Sequence, residues 1–360
     1  MADIISIATA VPGFCHKQAD IFHFMQDIYV LDEEDKRKLK FLYDHSGIDT
    51  RYSVIGDYGA ASGGRTFIPD TPGAGFPSLE ERMNIYEQEA AVLSIEAINR
   101  CIDNKITNKQ ITHLITVSCT GMSAPGLDLQ VMSGMDLAPD IFRTSVNFMG
   151  CYAAIHALKM AKMICDSTPN SNVIIVATEF CTLHFQKEYT ADNAASSLLF
   201  ADGVAAVLIS NYLKAENTLS LRGFYSHVAG EGRSDMAWKL SSQGFLMTLS
   251  SYIPQLIGGD IARLVATAVD HHNLSLNEIT HWCIHPGGKR ILDVIQKQLH
   301  LSENDMQYAR RVLARYGNMS SPSVLFVLKE IMDSPHSSPV KVMGMAFGPG
   351  LTMETFIAEN

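Results

Sequence analysis

Three short segments, far apart in a chain of 360 residues, each set one chemically able side chain beside glycine. Asn147-Phe148-Met149-Gly150-Cys151 carries a thiol, His285-Pro286-Gly287-Gly288 an imidazole, and Gly317-Asn318-Met319-Ser320-Ser321 a carboxamide. A thiol takes up an acyl group as a thioester, and an imidazole shares a proton with it near neutral pH. A carboxamide offers N–H donors that cannot be titrated away, which suits the oxygen of an enolate. Brought together, the three would hold an acyl group and stabilise a carbanion next to a thioester.

Each residue has a plainer reading as well. Cys151 falls where a short strand over 144–148 gives way to a helix over 153–164, so its sulfur would feel the positive end of the helix dipole. A packed core cysteine fits the same junction. Gly150 allows the tight turn that such a junction needs. His285 ends an apolar strand and precedes an exposing turn, whereas most of the 13 histidines are expected to be structural. Asn318 suits an oxyanion donor or an ordinary turn asparagine beside a helix start.

The elements that would position these residues alternate strand and helix. Strands are expected over 3–10, 111–119, 144–148, 173–177, 204–210, 280–285 and, last, 340–345. Helices are expected over 32–45, 80–102, 127–135, 153–164, 255–272, 289–299 and 322–332, the last with Ser321 as N-cap and Pro322 at N1. From Gly56 to Pro77 the chain reads as a long loop. Thr112-His113 opens one apolar strand and Thr280-His281 another, and both strands empty into Gly-rich turns. This echo suggests a duplicated αβ unit, with halves at 1–215 and 216–360.

Apolar residues make up 47% and charged residues 18%, the balance of an enzyme-sized globule with ample core. The net charge of −10 disfavours nucleic acid, so a polyanionic ligand would need a local basic patch. No apolar run reaches bilayer length and no signal stretch opens the chain, so a cytoplasmic protein without a membrane partner is expected. Seven cysteines with no CxxC pair or zinc spacing point to buried small hydrophobes and no metal site.

Taken jointly, Gly150-Cys151, His285-Pro286-Gly287-Gly288 and Gly317–Ser321 resemble the three catalytic motifs of the type III polyketide synthases, the chalcone synthase group. Ser118-Cys119-Thr120-Gly121, Leu199–Gly203 and the closing Gly348–Glu354 extend the resemblance over nearly the whole chain, and the Ser118–Gln130 and Gly244–Pro254 stretches look bacterial. The resemblance implies a thiolase-like fold of two related halves packed as αβαβα layers, and a homodimer. It implies an acyltransferase that uses malonyl-CoA and acyl-CoA directly, with no metal or redox cofactor. Cys151 would take the starter and be held by His285 as thiolate–imidazolium. His285 and Asn318 would bind the malonyl thioester oxygen during decarboxylation, and cyclisation would yield a pyrone or phenolic product. Phe200 matches a gatekeeper phenylalanine, with Thr120 and Ser320 nearby in the motifs.

Departures from the family pattern bear on substrate choice. Met247 stands for a second gatekeeper phenylalanine, and Cys119, Cys181 and His184 for hydroxyl-bearing cavity residues. Trp238 falls where plant enzymes carry a small glycine. Cys119 resembles a cavity cysteine of bacterial tetrahydroxynaphthalene-type synthases and equally suits an inert strand cysteine. The expected coenzyme A patch keeps Lys38 and Lys40, has His45 for a lysine and Phe41 for an arginine, and adds Lys289 and Arg290. Two other readings stand beside the first: a ketoacyl-ACP synthase III-like enzyme with the same Cys-His-Asn set, and a non-catalytic thiolase-fold subunit.

Overall fold

The computed structural model describes residues 1–60, 63–69, 75–229, 235–250, 253–336 and 339–360. Its strands are β1 (Ala2–Ala10), β2 (Phe14–Lys17), β3 (Thr50–Ser53), β4 (His113–Ser118), β5 (Phe142–Asn147), β6 (Asn172–Phe180), β7 (Asp202–Ser210), β8 (Leu219–Val228), β9 (Met236–Ser241), β10 (Gly244–Leu249), β11 (His281–Ile284), β12 (Lys341–Gly348) and β13 (Thr352–Glu359). The helices are α1 (Gln18–Ile28), α2 (Glu33–Asp44), α3 (Leu79–Ile102), α4 (Leu127–Gly134), α5 (Ala153–Ser167), α6 (Ala191–Leu199), α7 (Ile253–His271), α8 (Lys289–Gln298), α9 (Glu303–Tyr316) and α10 (Pro322–Asp333).

Nine strands pair in the order β11-β12-β13-β8-β1-β7-β6-β4-β5. The order repeats a single pattern. In one half β1 pairs antiparallel with β7, β7 antiparallel with β6, and β6 parallel with β4. In the other, β8, β13, β12 and β11 follow the same sequence of directions. The halves join where β1 meets β8 through Ala2↔Leu221, Asp3↔Ser220 and Ile4↔Leu219.

The helices α5 and α10 form the middle layer. α5 touches β4 and β6 of one half and β8 and β13 of the other, while α10 touches β1, β6 and β7 as well as β11 and β12. Sequence accounts for that position. α10 is buried all round through Val324-Leu325-Phe326-Val327-Leu328, as a helix apolar on every side must be. α5 buries Ala153, Ala154, Ala157 and Ala161, whose small side chains let strands approach from two sides. α3 covers one outer face and α7 and α9 the other, giving the αβαβα stack of the thiolase-like fold. No helix among the described residues is long and apolar enough to cross a membrane.

The Thr-His echo has a physical basis. The Thr112 hydroxyl accepts from Asn172 N at 2.9 Å and donates to Asn172 O at 2.9 Å. The Thr280 hydroxyl accepts from Lys341 N at 2.8 Å and donates to Lys341 O at 3.1 Å. Each also meets its neighbour's imidazole Nδ1 at 2.8 Å. One side chain thus closes the first parallel rung in each half.

Several expectations need correction. Ser321 stands before α10 but its side chain does not cap it; its backbone is already helical and its hydroxyl donates to Glu179 Oε1 at 2.8 Å. The last strand is β13, beyond 340–345. The 56–77 loop holds a short 3-10 turn at Gly56–Gly59, and the buried Asp57 carboxylate gathers the N–H groups of Thr66, Phe67 and Ile68; residues 61–62 and 70–74 of that loop lie outside the described residues.

The two threonines differ in surroundings, since Asn172 is fully buried and Thr280 is exposed. Thr112→Val leaves a buried N–H without a partner and should cost about 1–3 kcal/mol, whereas Thr280→Val should cost less than about 1 kcal/mol. Urea unfolding of both variants checks the ordering; equal losses would contradict it.

Candidate active site

The three Gly-marked segments meet at one cavity. It encloses about 680 Å³, counting the space at its mouth, and is lined by Cys151, His285 and Asn318 together with Cys119, Thr120, Cys181, Phe200, Trp238, Met247 and Ser320.

Cys151 reaches the cavity through a strained turn. After β5, Phe148 takes φ +59° and Gly150 φ +88°. A Cβ on Gly150 would fall 2.4 Å from Pro349 Cδ, so glycine is required there both by conformation and by space. Gly150 N–H donates to Cys119 Sγ at 3.1 Å, which gives Cys119 a place in the turn as well as on the wall. The Cys151 thiol lies 3.6 Å from Ser320 Oγ.

His285 follows β11, with its N–H on Met345 O at 2.9 Å. Its ring is buried, and neither Nδ1 nor Nε2 has a hydrogen-bond partner. A buried, unpartnered imidazole is costly, so its lone pair and N–H are available to something that enters. Asn318 is fixed on both sides. Its N–H donates to Leu199 O and its carbonyl accepts from Ala201 N–H, both at 2.9 Å, which bridges it to Phe200. Its side-chain Oδ1 accepts from Ser320 N–H at 2.8 Å, so Nδ2 is the end left to donate, with a long contact of 3.4 Å to Gly287 O.

Burial governs the charge states. It pushes the Cys151 thiol up to about 12 and the His285 imidazole down to about 3. The dipole of α5 is worth only about 0.3–2 kcal/mol and is outweighed. With these shifts the neutral thiol and neutral imidazole are favoured over the ion pair that the resemblance implies.

His184 is not on this wall. Its Nδ1 accepts from Phe245 N–H at 3.0 Å, so its Nε2 carries the proton and donates to Thr120 O at 2.7 Å. The ring stacks on Phe245 with centroids 4.1 Å apart. It stitches β10 to the turn after β4, and it borders an adjoining space of about 420 Å³ behind Phe200, Trp238 and Met247. Trp238 pins the β9–β10 hairpin by donating from Nε1 to Cys119 O at 2.7 Å.

The five residues of the expected coenzyme A patch stand outside the cavity. Lys38 and Lys40 lie on α2, where they pair with Glu34 at 2.8 Å and Asp44 at 2.6 Å. His45 caps α2. Lys289 and Arg290 begin α8, beside the lining residues Gly287 and Ile291, and Lys289 pairs with Asp293 at 2.8 Å. A Cβ on Gly47 would come within 3.3 Å of Lys289 Cδ, so the two parts of the patch adjoin.

Sequence reasoning missed Glu179, which sits fully buried at the end of β6. Its Oε2 accepts from Cys119 N–H and from the Thr120 hydroxyl, both at 2.8 Å, and its Oε1 from Ser321. A carboxylate closing an apolar strand is the signal that could have found it. Met236 and Leu249 of the hairpin, Phe347 and Pro349 also line the cavity. Six of the seven cysteines are buried and none is paired.

Acid stability offers a check on the His184 clamp. Burial lowers its imidazole from 6.5 to about 3 in the folded protein, so only the unfolded chain binds a proton between those values. Its contribution is present above pH ~6.5 and is lost as pH falls toward ~3. Glu179, raised from 4.5 to about 7, acts in the opposite sense, stabilising below about 4.5 and losing that contribution as pH rises to about 7. Comparing His184→Gln with wild type cancels the Glu179 effect. The variant should show a slope of unfolding free energy between pH 4 and 6 that is shallower by up to ~1.4 kcal/mol per pH unit. Parallel slopes would show that His184 is not held neutral.

Known proteins support the assignment of the chain. The N-terminal domain of chalcone and stilbene synthases matches residues 1–212, and their C-terminal domain matches residues 225–360. "Probable polyketide synthase 1" of Dictyostelium discoideum is 29% identical over 99% of the chain, which spans only 11% of that larger protein. "Putative chalcone synthase" of Bacillus subtilis (strain 168) is 27% identical over 99% of this chain and 98% of its own length. The crystal structure of PKS-I from the brown alga Ectocarpus siliculosus superposes with a TM-score of 0.91 at 26% identity, covering 99% of this chain and 98% of that one. With both halves matched in order, the chain belongs to the chalcone and stilbene synthase family, the type III polyketide synthases.

Proposed function

We propose that this acyltransferase loads an acyl group from coenzyme A onto Cys151, extends it with malonyl-CoA by repeated decarboxylative condensation, and releases a cyclised pyrone or phenolic product. The observation that carries the reading is the convergence of Cys151, an unpartnered His285 ring and an oriented Asn318 amide on one buried cavity.

The steps follow from those groups. His285 takes the Cys151 proton as the sulfur attacks the starter thioester, and coenzyme A leaves as its thiol. Malonyl-CoA then places its thioester oxygen between His285 and the Asn318 Nδ2–H. Loss of carbon dioxide puts an electron pair on that oxygen as an enolate, which fixed donors in a dry site stabilise. The enolate carbon attacks the Cys151 thioester and expels the thiolate, lengthening the chain by two carbons. Phe200, on the wall and tied to Asn318 by the backbone bridge, helps to exclude water. Met247 and Trp238 narrow the cavity and limit what product it holds.

The reading requires no group beyond the thioesters. It places the enzyme in the cytoplasm as a homodimer, the second copy covering β5, which ends the sheet with Phe142 71% exposed.

Purified protein incubated with malonyl-CoA and a panel of acyl-CoA starters, without carrier protein, should release carbon dioxide and cyclised polyketides detectable by mass spectrometry. Cys151→Ala should abolish both acyl-enzyme and product. A strict need for acylated carrier protein would favour a ketoacyl-ACP synthase instead. An acyl-enzyme formed at the wild-type rate by Cys151→Ala would show that the nucleophile is another residue.

A further inference from the structure

The C-terminal end of α6 carries contacts that the condensation steps leave unexplained. An α-helix leaves its last carbonyls without partners of its own. The final helical bond of α6 runs from Phe200 N–H to Ser196 O at 3.0 Å, so the carbonyls of Leu198, Leu199 and Phe200 need donors from elsewhere. Each has one, and each donor comes from a different part of the chain. Gln18 Nε2, at the start of α1, donates to Leu198 O at 3.0 Å. Asn318 N–H donates to Leu199 O at 2.9 Å, and Arg51 Nη1, on β3, donates to Phe200 O.

Arg51 is the costly member of this set. It is only 4% exposed, and no carboxylate pairs with it among the described residues. The nearby Asp202 carboxylate is taken by the N–H groups of Val54 and Thr182 and by the Thr182 hydroxyl. The carbonyl end of the α6 dipole meets the buried charge instead. The planar guanidinium serves two directions at once, since Nε donates to Gln18 Oε1 at 2.9 Å while Nη1 holds Phe200 O. Gln18 and Arg51 therefore lock each other, and they fix the carbonyls on either side of the one that Asn318 uses. The stem of Arg51 also packs beneath the asparagine, because a Cβ on Gly317 would fall 2.9 Å from Arg51 Cδ. Cys151 is held separately, by the Gly150 turn packed on Cys119 and Pro349.

We propose that Arg51, oriented by Gln18, is a positioning residue for the enolate step: it fixes the end of α6, and with it the Phe200 wall and the Asn318 carboxamide. The inference rests on the reading of Asn318 as donor to the enolate oxygen. A remote change that moves a reacting group by about 1 Å costs roughly 10²-fold in rate. Acylation of Cys151 does not use Asn318, so comparing the two steps separates positioning from a general loss of structure.

Carbon dioxide release from malonyl-CoA and Cys151 acylation from an acyl-CoA, the latter read by intact-protein mass, test the role. Arg51→Met should slow decarboxylation roughly tenfold to a hundredfold, with acylation near the wild-type rate. Arg51→Lys keeps the charge and one donor, and should recover part of the loss. Gln18→Met keeps the guanidinium but unlocks it, and should slow decarboxylation alone, by a smaller factor; it carries the test if Arg51→Met does not fold. Equal slowing of both steps, or decarboxylation at the wild-type rate in these variants, would overturn the proposal. Side-chain amide NMR reads the position without turnover. The Asn318 Nδ2 signal, identified by its loss in Asn318→Ala, should shift in Gln18→Met. A shifted signal in a protein that releases no carbon dioxide from malonyl-CoA would support the positioning and sink the condensing reading. An unshifted signal in a protein that turns malonyl-CoA over would do the reverse.

Discussion

Two backbone hydrogen bonds fasten the carboxamide of one half of the molecule to the aromatic wall of the other. They run from Asn318 N–H to Leu199 O and from Ala201 N–H to Asn318 O. Cys151 and Phe200 belong to the half built on β1, β4–β7 and α5, and His285 and Asn318 to the half built on β8, β11–β13 and α10. Without that bridge, and the middle layer of α5 and α10 behind it, the three reactive side chains would sit on separate surfaces. Glu179 reinforces the same seam, because its two oxygens hold the Cys119–Thr120 turn of one half and Ser321 at the start of α10 in the other.

A second constraint follows from how dry the seam is. Thiol, imidazole and carboxamide are all buried, and burial favours the neutral thiol and the neutral imidazole. That makes substrate entry part of the chemistry. A thioester oxygen entering the cavity meets an imidazole with no hydrogen-bond partner and an amide already turned to donate, so little reorganisation is needed. Two neighbouring contacts on the wall are likewise between uncharged groups, the Ser320 N–H on Asn318 Oδ1 and the Gly150 N–H on Cys119 Sγ.

Much of this was legible in the sequence, and the exceptions share causes. Long apolar strands and helices were found at the right places because burial on both faces leaves a strong pattern, as in β6, β7 and α10. α6 was missed because Ala191–Leu199 is rich in small polar residues and fully buries only Ala194 and Leu198. The β9–β10 hairpin was missed because its meaning lies in Trp238 and Met247 facing a distant cavity, which no local period reveals. α9 did have a signal, Ser302 with Asp305 as a capping box, ahead of buried Met306, Ala309 and Val312. Ser321 misled because an N-cap motif and a tertiary hydrogen bond look alike in sequence. His184 misled for a similar reason: a motif position marks where a side chain starts, not which backbone groups will claim it.

The central claim is that Asn318 serves the enolate step and Cys151 the loading step, within one cavity. The direct measurement is to compare both steps in Asn318→Ala, following Cys151 acylation from an acyl-CoA by intact-protein mass and carbon dioxide release from malonyl-CoA. Loss of one fixed donor should slow decarboxylation by roughly 10²–10³-fold while acylation persists near the wild-type rate. Decarboxylation at the wild-type rate, or an equal loss of both steps, would contradict the account.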